Sequence, residues 1–151
     1  MATHTSFNSA FKSMYRKLNS VQRSLPGVLA NEGTKFFVSN FDLGGFTDVS
    51  FHAWKPRKQF TANGKRIKKF NKKKILVKTG RLRRAVNNSV KEKSFRQIVW
   101  RIDPGAVPYA ARHNEGLDGM PRRHYMGKSY FLYKRFRLRI KQAYIKAFEG
   151  R

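Results

Sequence analysis

Tyr109-Ala110-Ala111-Arg112-His113-Asn114-Glu115-Gly116, a gap of four residues, and then Pro121-Arg122-Arg123-His124-Tyr125-Met126-Gly127 is the stretch on which the rest of the chain turns. Gly116, Gly119, Pro121 and Gly127 punctuate it. Glycine admits positive φ, and proline fixes φ and removes a backbone donor. Tyr109, Tyr125 and Met126 stand between them as apolar anchors. A loop specified this closely needs a rigid scaffold on either side, whether it works alone or meets a partner.

The flanks supply that scaffold. Downstream, residues 128–148 carry Leu132, Phe136, Ile140, Ala143 and Ala147 at helical spacing, which predicts a long C-terminal helix. Upstream, Ile98, Trp100 and Ile102 alternate with Gln97, Val99 and Arg101. That period of two predicts a hairpin of residues 89–93 and 95–102. Asp103-Pro104-Gly105 then marks a turn, and residues 107–114 a short helix ending at Gly116. Leu82, Ala85 and Val86 predict an inward-facing helical turn over residues 81–86, with Thr79 as its cap.

At the N-terminus, Phe7, Phe11, Met14, Leu18, Val21 and Leu25 recur at steps of four and three. They predict an amphipathic helix over residues 1–25, ended by Ser24-Leu25-Pro26-Gly27. The expected place for its apolar face is its own domain; the alternative is a neighbouring subunit. A second helix is expected over residues 28–41, with Gly44-Gly45 just beyond its end. Trp54-Lys55-Pro56-Arg57 reads as an anchored loop. The expected fold is α+β in one domain: N-terminal helices, a small antiparallel sheet and a long C-terminal helix.

Charge narrows the choice of partners. The 34 lysines and arginines against 8 acidic residues give a formal charge of +26, which attracts nucleic acid, anionic membrane or acidic protein surfaces in a salt-dependent way. Between residues 55 and 84 stand 14 basic residues and no acidic one. Residues 55–74 read as a basic insert, and the whole run is expected to order only against a partner. Absence of cysteine excludes disulfides and thiolate chemistry. No apolar run approaches the ~18 residues of a membrane span, and residues 1–6 have no signal-peptide pattern, so a cytosolic site of synthesis is expected.

Nothing in the sequence is patterned for catalysis. His4, His52, His113 and His124 form no HxxxH or HExxH pair, so neither a metal nor another cofactor is expected. His113 with Glu115 and Asp118 is the nearest constellation, and a structural hydrogen bond accounts for it better than acid–base work. An enzyme acting on an anionic substrate would have to rest on His113. Phe60, Phe70, Phe95 and Trp100 lie among cations, as in single-strand or RNA binders. No RNA-binding signature accompanies them. A basic protein of ribosomal or nucleoid type is the alternative that they support.

Taken in order, Trp54-x-Pro56, Ile75-Leu76-x-x-Thr79-Gly80-x-Leu82, Tyr109-Ala110-x-x-His113-x-x-Gly116 and Pro121-x-Arg123-x-Tyr125-Met126-Gly127 resemble the phage virion-morphogenesis family. That is the family of the Mu-type tail-completion protein, related to the neck proteins of other tailed phages. The resemblance runs from about Phe36 to the C-terminus, with Tyr125 where the family usually has Phe. It implies a non-enzymatic virion subunit at the head–tail junction, assembled in the host cytoplasm as a ring of six copies beside other neck and tail proteins. Tyr109, His113, Gly116, Pro121, Arg123, Tyr125 and Gly127 would form an assembly loop. Lys65, Arg66, Lys68, Lys69, Lys72, Lys73 and Lys74 would face either the DNA passing through the ring, without sequence preference, or an acidic neighbour.

Overall fold

A computed structural model describes residues 3–58, 63–65 and 74–149, with side chains from Phe7 onward. The N-terminal region is one helix, α1, running unbroken from Thr3 to Leu43 through Pro26. This corrects the expectation of two helices. Proline inside a helix removes one backbone hydrogen bond and costs about 3 kcal/mol. Here Val21, Leu25, Pro26 and Ala30 are all buried. Leu25 and Pro26 share a cleft with Phe136 and Ile140 of the C-terminal helix. Packing on both sides of the proline thus holds the helix through it, since burying a large apolar side chain contributes about 1.5–3 kcal/mol. The Ser24 hydroxyl donates to the Ser20 carbonyl at 3.0 Å in the same turn.

Gly44, with φ +69, turns the chain out of α1 into a small antiparallel hairpin. Its strands are β1 (Gly45–Thr47) and β2 (Phe51–Ala53), with Phe46 opposite His52. Sequence patterning gave no sign of this hairpin. Next comes α2 (Arg81–Asn87), with Leu82 and Val86 buried as expected. Its N-cap is Gly80 and not Thr79, whose hydroxyl only approaches the Arg81 amide at 3.4 Å. Strands β3 (Val90–Lys93) and β4 (Ile98–Trp100) form the expected second hairpin, with an irregularity between Val90 and Glu92. A single π-helical turn follows at Arg112–Gly116, and α3 spans Tyr130–Glu149.

The first hairpin supplies the start of α3. Asp48, in the β1–β2 turn, accepts from the Tyr130 amide at 2.7 Å through its carboxylate and from the Phe131 amide at 3.0 Å through its carbonyl. Ser129 donates to the Thr47 carbonyl and accepts from the Leu132 amide. These bonds satisfy free helix N–H groups and put a negative charge at the positive end of the helix. From there α3 lies along α1, held by Glu32. That carboxylate is nearly buried, and it binds Arg135 at 2.8 Å and Arg139 at 3.0 Å.

The core gathers on the C-terminal half of α1. Phe36, Phe37 and Phe41 pack with Phe46, Trp54, Leu82, Val86, Val107, Tyr125 and Leu132. The Phe41 ring lies 5.4 Å from Tyr125 and 5.7 Å from Trp54, centre to centre. Ile75, Leu76 and Val77 pack against the same cluster. Residues 74–84 are therefore ordered by the chain's own core, contrary to the expectation for that end of the basic run.

Candidate assembly loop and basic surface

Residues 109–127 form a loop closed on itself and bolted to two other parts of the fold, α1 and the segment after β2. Asn114 is its hub. Its side-chain oxygen accepts from the Tyr125 and Met126 amides at 3.0 and 3.2 Å, and its amide donates to the Met126 carbonyl at 3.0 Å. The Arg123 amide donates to the His113 carbonyl at 2.7 Å, joining the two limbs. Below, Tyr125 is 1% exposed and its hydroxyl donates to the Ala110 carbonyl at 2.9 Å. Asn40 of α1 donates to the Tyr125 carbonyl at 3.0 Å, and Trp54 to the His124 carbonyl at 2.6 Å. Arg123 is 7% exposed and donates to the Lys55 carbonyl at 3.1 Å. Buried carbonyls left unpaired cost about 1–3 kcal/mol each, so these side chains fix the loop's path.

Gly116 has φ +76, and a Cβ there would lie 3.0 Å from the backbone nitrogen and Cα of Arg122. The sharp reversal that brings the two limbs together therefore demands glycine. Asp118 also has positive φ, and it pairs with Arg112 at 2.8 Å across the exposed bend.

Of the expected loop residues, Tyr109 stands exposed, and His113, Gly116, Pro121 and Gly127 are half-buried at the loop surface. Arg123 and Tyr125 point inward. Burial lowers the His113 pKa from its ordinary value near 6.5, and the charge of Arg123 adds to the effect. His124 is shifted down in the same way, by burial and then by Arg122, with Glu115 and Asp48 partly opposing. Burial pushes the Tyr125 phenol far up. Glu115 takes the Asn114 amide, and Asp118 takes Arg112. Neither carboxylate serves the His113 ring among the described residues. Asn114 and Asn40 were missed in the sequence, where a neutral amide carries no signal of burial.

Of the expected basic contacts, Lys65 is exposed. Lys74 pairs with Asp42 at 3.2 Å, and Arg83 binds the other oxygen of that carboxylate at 2.7 Å. Arg66, Lys68, Lys69, Lys72 and Lys73 lie outside the described residues. Arg57 donates to the Lys74 carbonyl at 2.7 Å, which ties the two ends of the insert together. On α3, Lys134 lies 4.8 Å from the Tyr130 ring and Arg137 6.0 Å from Tyr133, each one turn on. Among the described residues no group of three or more His, Asp or Glu is arranged to hold a metal ion, and no helix is long and apolar enough to cross a membrane.

One long helix, two short hairpins, a stapled loop and a returning helix define a small α+β fold. The model of the phage virion morphogenesis family matches residues 7–142, and the chain belongs to that family. Its role is therefore in building a phage virion, together with other virion proteins. The match begins well before Phe36 and takes in the N-terminal helix. No curated protein and no solved structure matches the chain.

Proposed function

We propose that the protein is a structural, non-catalytic subunit that completes the tail end or joins it to the head, as a ring of six copies at the head–tail junction. The observation that carries this reading is the loop of residues 109–127. Its backbone is fixed from beneath by Asn40, Trp54, Arg123 and Tyr125, while Tyr109, His113 and Pro121 lie toward its surface. A rigid displayed surface suits a contact repeated around a ring. Arg123 and Tyr125 then serve assembly by holding the loop's shape. The two carboxylates nearest His113, Glu115 and Asp118, are taken up by Asn114 and Arg112.

The excess of cations gives the ring a second property. Lys65 and the neighbouring basic residues of the insert supply sequence-blind attraction to DNA in the lumen or to an acidic adjoining ring. Electron microscopy of virions carrying a tagged copy tests the proposal: density at the portal end of the tail is expected, and absence from purified particles would sink it. The same charge favours the second reading, a basic nucleic-acid-binding protein, which predicts recovery with RNA or host DNA and not with particles.

A further inference from the structure

The apolar stripe of α1 is covered at one end and bare at the other. Val21 and Leu25 are buried, whereas Phe7, Phe11 and Met14, on the same face, are 70%, 55% and 43% exposed, with Tyr15 at their flank. At 3.6 residues per turn Arg16 falls opposite this stripe and Lys12 roughly 100° beyond Phe11, while Lys17 borders it roughly 60° beyond Met14, so the line of the three anchors carries no charge and one lysine edges it. The expected docking of this face on its own domain therefore holds only from Leu18 onward.

The same chain carries an unfilled apolar groove. It lies between β4 and the first turns of α3 and measures about 810 Å³. Phe37, Trp100, Leu132, Tyr133 and Phe136 line it, and among the described residues Asp48 and Lys128 are its only charged lining residues. The arm cannot reach its own groove. Along a continuous helix Met14 lies about 35 Å from Phe37 at 1.5 Å per residue.

We propose that the arm of one copy seats in this groove of the next copy, with Phe7, Phe11 and Met14 as anchors, joining subunits head to tail. The choice of a second copy as occupant rests on the ring reading above; the two surfaces come from the geometry. Helices that dock in grooves do so through anchors at i, i+4 and i+7, the spacing of these three residues. A contact between two different patches is heterologous, and it closes into a ring when the rotation between subunits permits. The arm offers roughly 450 Å² of side-chain surface, taking ~200 Å² for each fully exposed large side chain. That is about half of the ~800 Å² per partner in a standard interface. A single contact is therefore weak, and ring closure, in which each subunit both gives and receives an arm, supplies the remainder.

Sedimentation of the full chain tests this, using Phe11→Glu in the arm and Tyr133→Glu at the groove. Both positions are more than half exposed, so the fold survives, which circular dichroism checks. Wild-type protein is expected to associate with rising concentration, and more strongly as salt screens the repulsion between +26 subunits. Each variant alone should weaken association about tenfold or more, as loss of a central aromatic anchor does. At concentrations well above those at which the wild type associates, mixing the two variants should restore a dimer and nothing larger, because one arm and one groove remain intact and the single contact lacks the support of ring closure. A monomeric wild type, an unchanged Phe11→Glu variant, or a mixture without dimer would each overturn the proposal. So would association that weakens with salt, or an arm needed only for binding vesicles of anionic phospholipid. Loss of this contact with the protein still at the portal end leaves the ring reading standing. A restored dimer with the protein absent from virions leaves the contact standing and removes the ring reading.

Discussion

The arm of α1, residues 7–16, and the loop of residues 109–127 both mix aromatic residues with cations, yet they solve opposite problems. In the loop, Tyr125 is buried and the amides of Tyr125, Met126 and Arg123 all find partners within the chain. In the arm, the backbone is satisfied by the helix itself, but Phe7 and Phe11 face solvent. Hydrogen bonds that cannot be left unmade force the loop to be finished within the monomer. Apolar area carries no such obligation, so the arm can stand bare until a partner covers it. Substitutions should separate the two accordingly: loop changes act on folding, arm changes on assembly alone.

The largest effect is expected at Tyr125. Tyr125→Ala opens a cavity beside Phe41 and leaves the Ala110 carbonyl unpaired. A loss of about 4 kcal/mol is expected, seen as a fall of roughly 10 °C in melting temperature. Tyr125→Phe keeps the ring and loses only the hydroxyl bond, at about 1 kcal/mol. Equal losses from the two variants would mean that the loop is not built on this ring.

Gly116→Val comes next. A β-branched residue at φ +76 is strained by about 1–3 kcal/mol, and its Cβ meets the Arg122 backbone, which cannot swing aside. Gly80 shares the positive φ, but a Cβ there meets the end of the Arg84 side chain, which can move. Gly80→Val should thus cost less than Gly116→Val in chemical denaturation, and both should lower virion yield. The reverse order would place the tighter constraint at α2 and not in the loop.

Legibility in the sequence followed the length and regularity of each element. Helix α3, the β3–β4 hairpin and the inward faces of Leu82 and Val86 could be read because each repeats a period over several residues. The β1–β2 hairpin could not. Its strands are three residues long, and β2 is exposed throughout. Pro26-Gly27 misled because local propensity argued for a break, while the burial that overrides it comes from α3, more than a hundred residues away in the sequence. The loop's boundaries were visible in Gly116, Pro121 and Gly127. Its hub was not, since Asn114 differs from a surface asparagine only in what it touches. Glu32 is the first acidic residue of the chain, but it drew no attention there, and its partners Arg135 and Arg139 were beyond reach of any local pattern.

A smaller effect separates the two regions by pH. His113 and His124 have folded pKa values below their ordinary 6.5, chiefly because both are partly buried. The unfolded chain therefore binds more protons between the folded pKa values and 6.5. Stability is full above about pH 6.5 and falls as pH drops through that window. Comparing melting temperatures at pH 7.5 and 5 spans the histidine window. A lower value at pH 5 is expected, and His113→Gln combined with His124→Gln should flatten the difference. A wild type equally stable at both values would remove the histidines from the loop's energetics.

The smallest effect on folding is expected in the arm, and its smallness is the informative outcome. Phe11→Ser removes an aromatic ring that touches little of its own domain, so chemical denaturation should change by no more than about 0.5 kcal/mol, as for surface sites generally. A helix propensity term of a few tenths of a kcal/mol is already included in that figure. If the variant instead lost more than 1 kcal/mol as a monomer, the arm would be packed on its own domain and the contrast with the loop would collapse. If stability is unchanged while assembly fails, the apolar face of residues 7–16 is kept for contact between molecules and contributes nothing to the fold that carries it.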